Sequence, residues 1–129
     1  MPSCVLDASA VLAWLFDERG ASTVEKVLGV GALSTVNLAE VLYRCDEEGM
    51  PTASLEADLQ GLGVGIEPFT SEDAHLVEEV RRVARSVNVR LSLADCCCLA
   101  TGIRLNLPVV GGDQAWERLA LGIDVRLFR

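Results

Sequence analysis

LSLADCCCLA occupies positions 91–100, an aspartate followed by three consecutive cysteines. The stretch is either a cysteine cluster or a buried helix with one acid near its start. Neighbouring residues on a helix do not face each other, so Cys96, Cys97 and Cys98 cannot close around one ion. Zinc sites usually separate their cysteines by about two to four residues, and no CxxC redox motif is present. The five cysteines are an odd number, in a chain long enough to bury a core without disulfide staples. The thiols therefore read as small buried hydrophobes, the usual fate of free cysteine. A reactive thiol needs a lowered pKa, and a carboxylate at Asp95 raises it. LSLADCCCLATGIRL, 91–105, is apolar almost all round, which predicts a central helix.

Shorter apolar runs alternate with helical patterns on either side. CVL, 4–6, predicts a strand, and Asp7 and Ser9 introduce a helix over 10–16. DERG reads as a turn, with a helix following through Val27. GALST, 31–35, predicts a buried strand. NLAEVLYRCDEEG, 37–49, predicts a helix with Leu38, Val41, Leu42 and Cys45 on one face, capped by Asn37 and stopped by Gly49. Another helix lies within MPTASLEADLQGLG, with Pro51 near its start. GIEPF, 65–69, is a candidate strand that Pro68 either weakens or places at an edge. SEDAHLVEEVRRVARSV, 71–87, is amphipathic, with Ala74, Val77, Val80, Ala84 and Val87 along one face. LPVVGGD reads as strand and turn, QAWERLA as a short helix and IDVRLF as a last strand. This alternation predicts an α/β fold, a three-layer α/β/α sandwich around a mostly parallel sheet.

At 129 residues, half of them hydrophobic, the chain suits a single domain over 1–129. The opening MPSCVLDASAVLAWLF lacks the basic region of a signal peptide, and Asp7 interrupts its apolar run. No run approaches the roughly 18 apolar residues of a membrane span. The expectation is a cytoplasmic protein with no membrane association. The formal charge of −8 argues against nonspecific nucleic-acid binding, which depends on clustered Lys and Arg.

Ligands of open α/β sheets lie beyond the carboxyl ends of the strands. Asp7 and Asp113 each follow a strand there, Glu40 comes shortly after another, and Asp95 opens the central helix. Each acid also has an ordinary structural role to hand. Asp7 and Asp113 can cap the helices after them, and Asn37-x-x-Glu40 and Ser92-x-x-Asp95 resemble capping boxes. Their settings are nevertheless apolar (CVLD, NLAEVL, LSLADCC, PVVGGD), where acids seldom sit without a partner. Most of the nineteen acids lie instead in exposed-looking runs such as DEEG and SED. If the four converge, repulsion is the main problem: at about 4 Å, two like charges repel by about 4 kcal/mol at an effective dielectric of 20. A divalent cation removes the conflict. All-oxygen ligation suits Mg2+ and Mn2+, ions that activate water and stabilise charge on a phosphoryl group. The reading is metal-dependent phosphodiester hydrolysis.

VLDASAVLAWL, NLAEVL, LSLADCCCLA and PVVGGDQAW, in that order and over nearly the whole chain, resemble the PIN-domain family, specifically its VapC-type toxin ribonucleases. The resemblance implies a PIN-like fold and an endoribonuclease that hydrolyses RNA with metal-activated water, leaving 5′-phosphate and 3′-hydroxyl ends. It implies that Asp7, Glu40, Asp95 and Asp113 are catalytic and hold one or two Mg2+ or Mn2+ ions, with Ser9 supporting the site. It further implies a homodimer, an RNA substrate (tRNA, rRNA or mRNA) and a cognate VapB-like antitoxin that obstructs the acidic pocket. In one respect the chain departs from the family: Gly111 stands where a Thr or Ser often lies two residues before the last acid. The missing hydroxyl, and a turn loosened by Gly111 and Gly112, leave a catalytically impaired PIN-like binding module as an alternative. A nuclease acting on DNA is another.

Other chemistries have little to stand on. His75, the only histidine, reads as a surface residue, and neither a G-x-S-x-G elbow nor a P-loop is present. A phosphatase on such a sheet should carry D-x-D after its first strand, where this chain has DAS. Arg81, Arg82 and Arg85 are the densest of ten arginines, with Arg90 and Arg104 nearby in sequence. They read either as a solvated face paired with Glu78 and Glu79 or as an RNA-binding patch. Two divalent ions would add +4 and bring the formal charge from −8 to −4, so a local patch could suffice.

Overall fold

The apolar run ahead of Asp7 forms β1 (Cys4–Leu6), buried along its whole length. The computed structural model describes residues 1–129. In chain order follow α1 (Ala8–Leu15), α2 (Ala21–Leu28), β2 (Gly31–Ser34), α3 (Thr35–Glu47), α4 (Leu55–Gly61) and β3 (Gly65–Glu67). Then come α5 (Ser71–Ser86), α6 (Leu93–Leu105), β4 (Val109–Gly111) and β5 (Val125–Leu127). A 3-10 helix, Gln114–Arg118, lies between β4 and β5. The strands form one sheet in the order β3-β2-β1-β4-β5, with every neighbouring pair parallel. Parallel neighbours need crossover connections, which the helices supply. The α/β sandwich is as expected, and its sheet is wholly rather than mostly parallel.

Strand periodicity divides the core in two. Cys4, Leu6, Leu33 and Val110 pack on one side with residues of α1 to α4, among them Val11, Val24, Val41 and Leu59. Val5 and Val109 face the other way, onto Val80 and Ala84 of α5, Cys98 and Leu99 of α6, and Trp116. The three layers follow from this division. β3, just before Pro68, is an edge strand. No helix is long and apolar enough to cross a membrane.

Three local expectations shift. α1 begins at Ala8 rather than Ala10 because Asp7 caps it directly. α3 begins two residues before Asn37: Ser34 is the cap, its Oγ accepting from the Val36 N–H at 3.2 Å. Asn37 lies inside that helix, fully buried. QAWERLA forms a 3-10 rather than an α-helix, again capped by an acid, Asp113.

The SED run also hides a surprise. Asp73 is fully buried, not surface-exposed. It shares a capping box with Thr70, accepts from the Thr101 hydroxyl at 3.3 Å and receives the Arg104 guanidinium. Arg104 also reaches Glu67 Oε1 at 2.7 Å, so one guanidinium ties α6 to α5 and to the end of β3. A buried charge stripped of its partner costs about 3–5 kcal/mol. Arg104→Met should therefore lower the urea midpoint by a loss of that size, and Arg104→Lys by less.

Candidate functional site

Asp7 leaves the carboxyl end of β1, and its N–H donates to Val110 O at 2.9 Å. That places it in the crevice between β1 and β4, where the sheet extends from β1 towards β2 on one side and β4 on the other. Its side chain is 7% exposed. Oδ2 accepts from Ser9 Oγ at 2.5 Å and from the Ser9 N–H at 3.2 Å. Glu40 is carried on α3, just beyond β2. Asn37 Nδ2 donates to Glu40 Oε1 at 2.7 Å and to the Ala94 carbonyl at 3.4 Å, tying α3 to the start of α6. Asp95 lies in the first turn of α6, in a reciprocal capping box with Ser92 at 3.0 and 3.1 Å.

These elements open one cleft of about 520 Å³, lined by Asp7, Ser9, Glu40 and Asp95, with Tyr43 and Arg44 beside them. Asp113 lies outside it. It follows β4 at the same edge of the sheet, but is exposed and accepts from the Ala115 N–H at 2.9 Å. Three of the four acids thus share a cleft. Capping is real for Asp7, Asp95 and Asp113, whereas Glu40 is held by Asn37 within its own helix.

Burial raises the Asp7 carboxyl above its ordinary range; the Ser9 hydroxyl opposes this, and the Asp95 charge adds to it. Burial likewise raises Glu40, with the Asn37 hydrogen bond opposing and the charges of Asp7 and Asp95 adding. Both groups therefore resist ionisation in the absence of a cation. All the available donors are hard oxygens, and buried Asn37 Oδ1 has no partner. No three His, Cys, Asp or Glu side chains draw together tightly enough to close on an ion by themselves. That open arrangement fits Mg2+, which keeps several waters and commonly takes only one or two protein carboxylates. The residues fit a hydrated divalent ion that one or two of Asp7, Glu40 and Asp95 would hold directly, with water between the ion and the rest.

The cysteine run behaves as packing. All five thiols are free and buried, and burial raises each of them; Cys98, beneath Asp7, is raised furthest, with the Asp7 charge second to burial. Thiols kept protonated are poor nucleophiles. Gly111 has a steric explanation: a Cβ there would lie 2.9 Å from the Trp116 ring, so close packing rather than a loose turn requires glycine. Arg81, Arg82 and Arg85 are exposed on α5. Arg82 pairs with Glu78 at 3.7 Å, while Arg81 and Arg85 line a concavity with Arg90. His75 is exposed.

Sequence reasoning missed three residues here. Asn37 was assigned a capping role and instead orients Glu40. Tyr43 and Arg44 enter the cleft because they follow Glu40 by three and four residues on one helix face, a spacing that could have flagged them.

Two outcomes follow. Raised carboxyl groups bind protons more tightly in the folded than in the unfolded chain. Stability should therefore fall as pH rises from the ordinary carboxylate range through the raised values. In chelator at about pH 8, Asp7→Asn should resist urea better than the wild type, and the gap should narrow at about pH 4. Added Mg2+ should stabilise only the wild type. Gly111→Ser should lose about 1–3 kcal/mol through overpacking, and a smaller side chain at Trp116 should recover part of that loss.

The comparisons agree with this architecture. The PIN domain family model matches residues 4–121. No curated protein matches the chain. A chain of the DNA-bound VapBC complex from Salmonella typhimurium is 14% identical, with all of both chains covered and a TM-score of 0.73. A chain of VapBC2 from Rickettsia felis, bound to a promoter DNA fragment, is 16% identical over 96% of this chain and 97% of its own, with a TM-score of 0.69. A chain of VapBC-5 from Mycobacterium tuberculosis is 21% identical over 99% of both chains, with a TM-score of 0.58. At such identities the likeness is one of fold, while the family match spans nearly the whole sequence, and the chain belongs to the PIN domain family.

Proposed function

We propose that this protein is a Mg2+- or Mn2+-dependent endoribonuclease, the toxin of a type II toxin–antitoxin pair, acting in the cytoplasm. The observation that carries this reading is the meeting of Asp7, Glu40 and Asp95 in one cleft beyond the strand ends, with Asp7 and Glu40 resisting ionisation. A bound divalent ion supplies activation of water and stabilisation of charge on the phosphoryl group. The chain's own residues hold and orient. Asp7 and Glu40 provide carboxylates whose charge is costly without a cation. Ser9 fixes the Asp7 carboxylate by two hydrogen bonds, and Asn37 fixes Glu40. Asp95 is locked at the start of α6 by its capping box. Asp113, at the same edge of the sheet but outside the cleft, is the fourth acid of this reading and would have to release the Ala115 N–H to take part. Arg81 and Arg85, free of carboxylate partners, are candidates for contacts with the RNA backbone.

Support for a toxin role comes from solved folds that this chain resembles, among them VapBC complexes and a toxin–antitoxin complex from Klebsiella pneumoniae. We read residues 1–129 as one PIN-like domain that works as a homodimer with a VapB-like antitoxin. An exposed apolar groove formed by Val36, Phe69, Val77, Leu93 and Cys97, with Leu93 72% exposed, supports a protein partner.

Purified protein should cut single-stranded RNA with Mg2+, stop in EDTA and leave the matched DNA strand intact. Asp7→Asn should lower the rate by at least the roughly 10–100-fold typical of losing an outer-shell partner of a metal ligand. A second reading, a PIN-like module with impaired catalysis, is favoured by Asp113, which is exposed, accepts from the Ala115 N–H and lies outside the carboxylate cleft. Metal titration separates the two, since an impaired module should bind Mg2+ weakly and cut nothing.

A further inference from the structure

The carboxylate cleft does not end at its acids. It shares Ser9, Leu12 and Arg44 with a second hollow of about 420 Å³, into which Arg19 and Arg129 also project. Three arginines therefore line a hollow that adjoins the acidic pocket, in a chain whose formal charge is −8. Glu18 is the one acid lining this hollow. Arg19 and Arg129 form no ion pair, and Arg44 has only an exposed contact with Glu47 at 3.6 Å, the kind that contributes little. If these arginines served to neutralise the acids, they would pair with them, and they do not.

Local structure holds the group in place. The Arg129 guanidinium lies 4.9 Å from the centre of the buried Phe128 ring. A Cβ at Gly112 would come within 2.8 Å of Arg129 Nε and Nη2, so the second glycine of the GGD turn leaves room for that side chain. The turn that leads to Asp113 is thus cut away where a guanidinium crosses it. Arg44 stands at the junction, lining both hollows.

We propose that the Arg19–Arg44–Arg129 hollow binds a phosphate of the RNA strand that flanks the scissile phosphate in the carboxylate cleft. This rests on the nuclease reading above and adds to it the place where the strand is gripped. A phosphodiester strand carries a negative charge at every nucleotide, so a strand seated at the acids presents a neighbouring phosphate to whatever lies beside them. Guanidinium groups suit phosphate through paired, charge-assisted hydrogen bonds. The division of labour is electrostatic: the acids need a cation before they tolerate phosphate, whereas the arginines attract it directly. Such contacts bind substrate and transition state alike, so they act on KM rather than kcat.

The test uses the full chain and single-stranded RNA oligonucleotides with one methylphosphonate placed at successive positions around the cut. In the wild type, one flanking position should raise KM by roughly tenfold with kcat nearly unchanged. In Arg19→Ala/Arg44→Ala, KM should be raised for the unmodified strand, and that position should carry no further penalty. Arg44→Lys should recover part of the loss, and Arg118→Ala, an exposed arginine elsewhere, should match the wild type. Anisotropy of a labelled strand in chelator gives a second readout independent of cleavage. Its log affinity against log salt should flatten by about 0.7 in the double variant, the share of one phosphate on a single strand. Absence of RNA cleavage by the wild type overturns the nuclease reading, and the anisotropy arm still decides the hollow. Equal affinity and equal salt slope in wild type and double variant overturn this proposal and leave the hollow to an acidic segment of a protein partner.

Discussion

A carboxylate almost sealed from water at the end of the central strand is the constraint on which this structure turns. Asp7 is set there by β1, whose buried run places the next residue in the crevice between β1 and β4. An isolated charge in such a position is strongly disfavoured, and burial accordingly raises the Asp7 carboxyl. Its neighbours moderate the penalty without removing it. Ser9 donates twice, but Asp95 adds a like charge from across the cleft. The fold thereby maintains an electrostatic deficit of the kind that a divalent cation would relieve.

The supporting parts serve that deficit in different ways. Asn37, fully buried inside α3, spends its amide on Glu40 and on the first turn of α6, so it sets the spacing between two carboxylate-bearing helices. Elsewhere, the Arg104 guanidinium clamps α6 to α5 through Asp73. That pair shows what an acid with a partner looks like in this chain. Asp73 is more buried than Asp7 and is matched by a full positive charge, whereas Asp7 has only uncharged donors. The contrast between a satisfied and an unsatisfied buried acid separates structure from candidate chemistry here.

A net charge of −8 does not describe the whole surface, because the charges are unevenly distributed. The acids are divided between the cleft, the buried clamp and exposed helix faces. Arginines without acid partners gather at two places, beside the cleft at Arg19 and Arg129 and along α5 at Arg81 and Arg85. Local field, rather than total charge, governs where an anion settles.

By itself the sequence determined the alternation of strands and helices, the central helix with its cysteines as packing, and three acids of one cleft. Hydrophobic periodicity and capping residues are local signals, and Asp7, Glu40 and Asp95 stand out as acids in apolar settings. Tertiary structure alone decided the rest. Asp73 sits in a polar run, and only the docking of α6 on α5 brings Arg104 over it and buries it. Asp113 has the same local signature as Asp7 and caps the next helix in the same way, yet it is exposed and lies outside the cleft. Gly111 looks like a lost hydroxyl in sequence and is a contact with the Trp116 ring in space. Each of these depends on which distant side chain arrives at a position, and chain order carries no record of that.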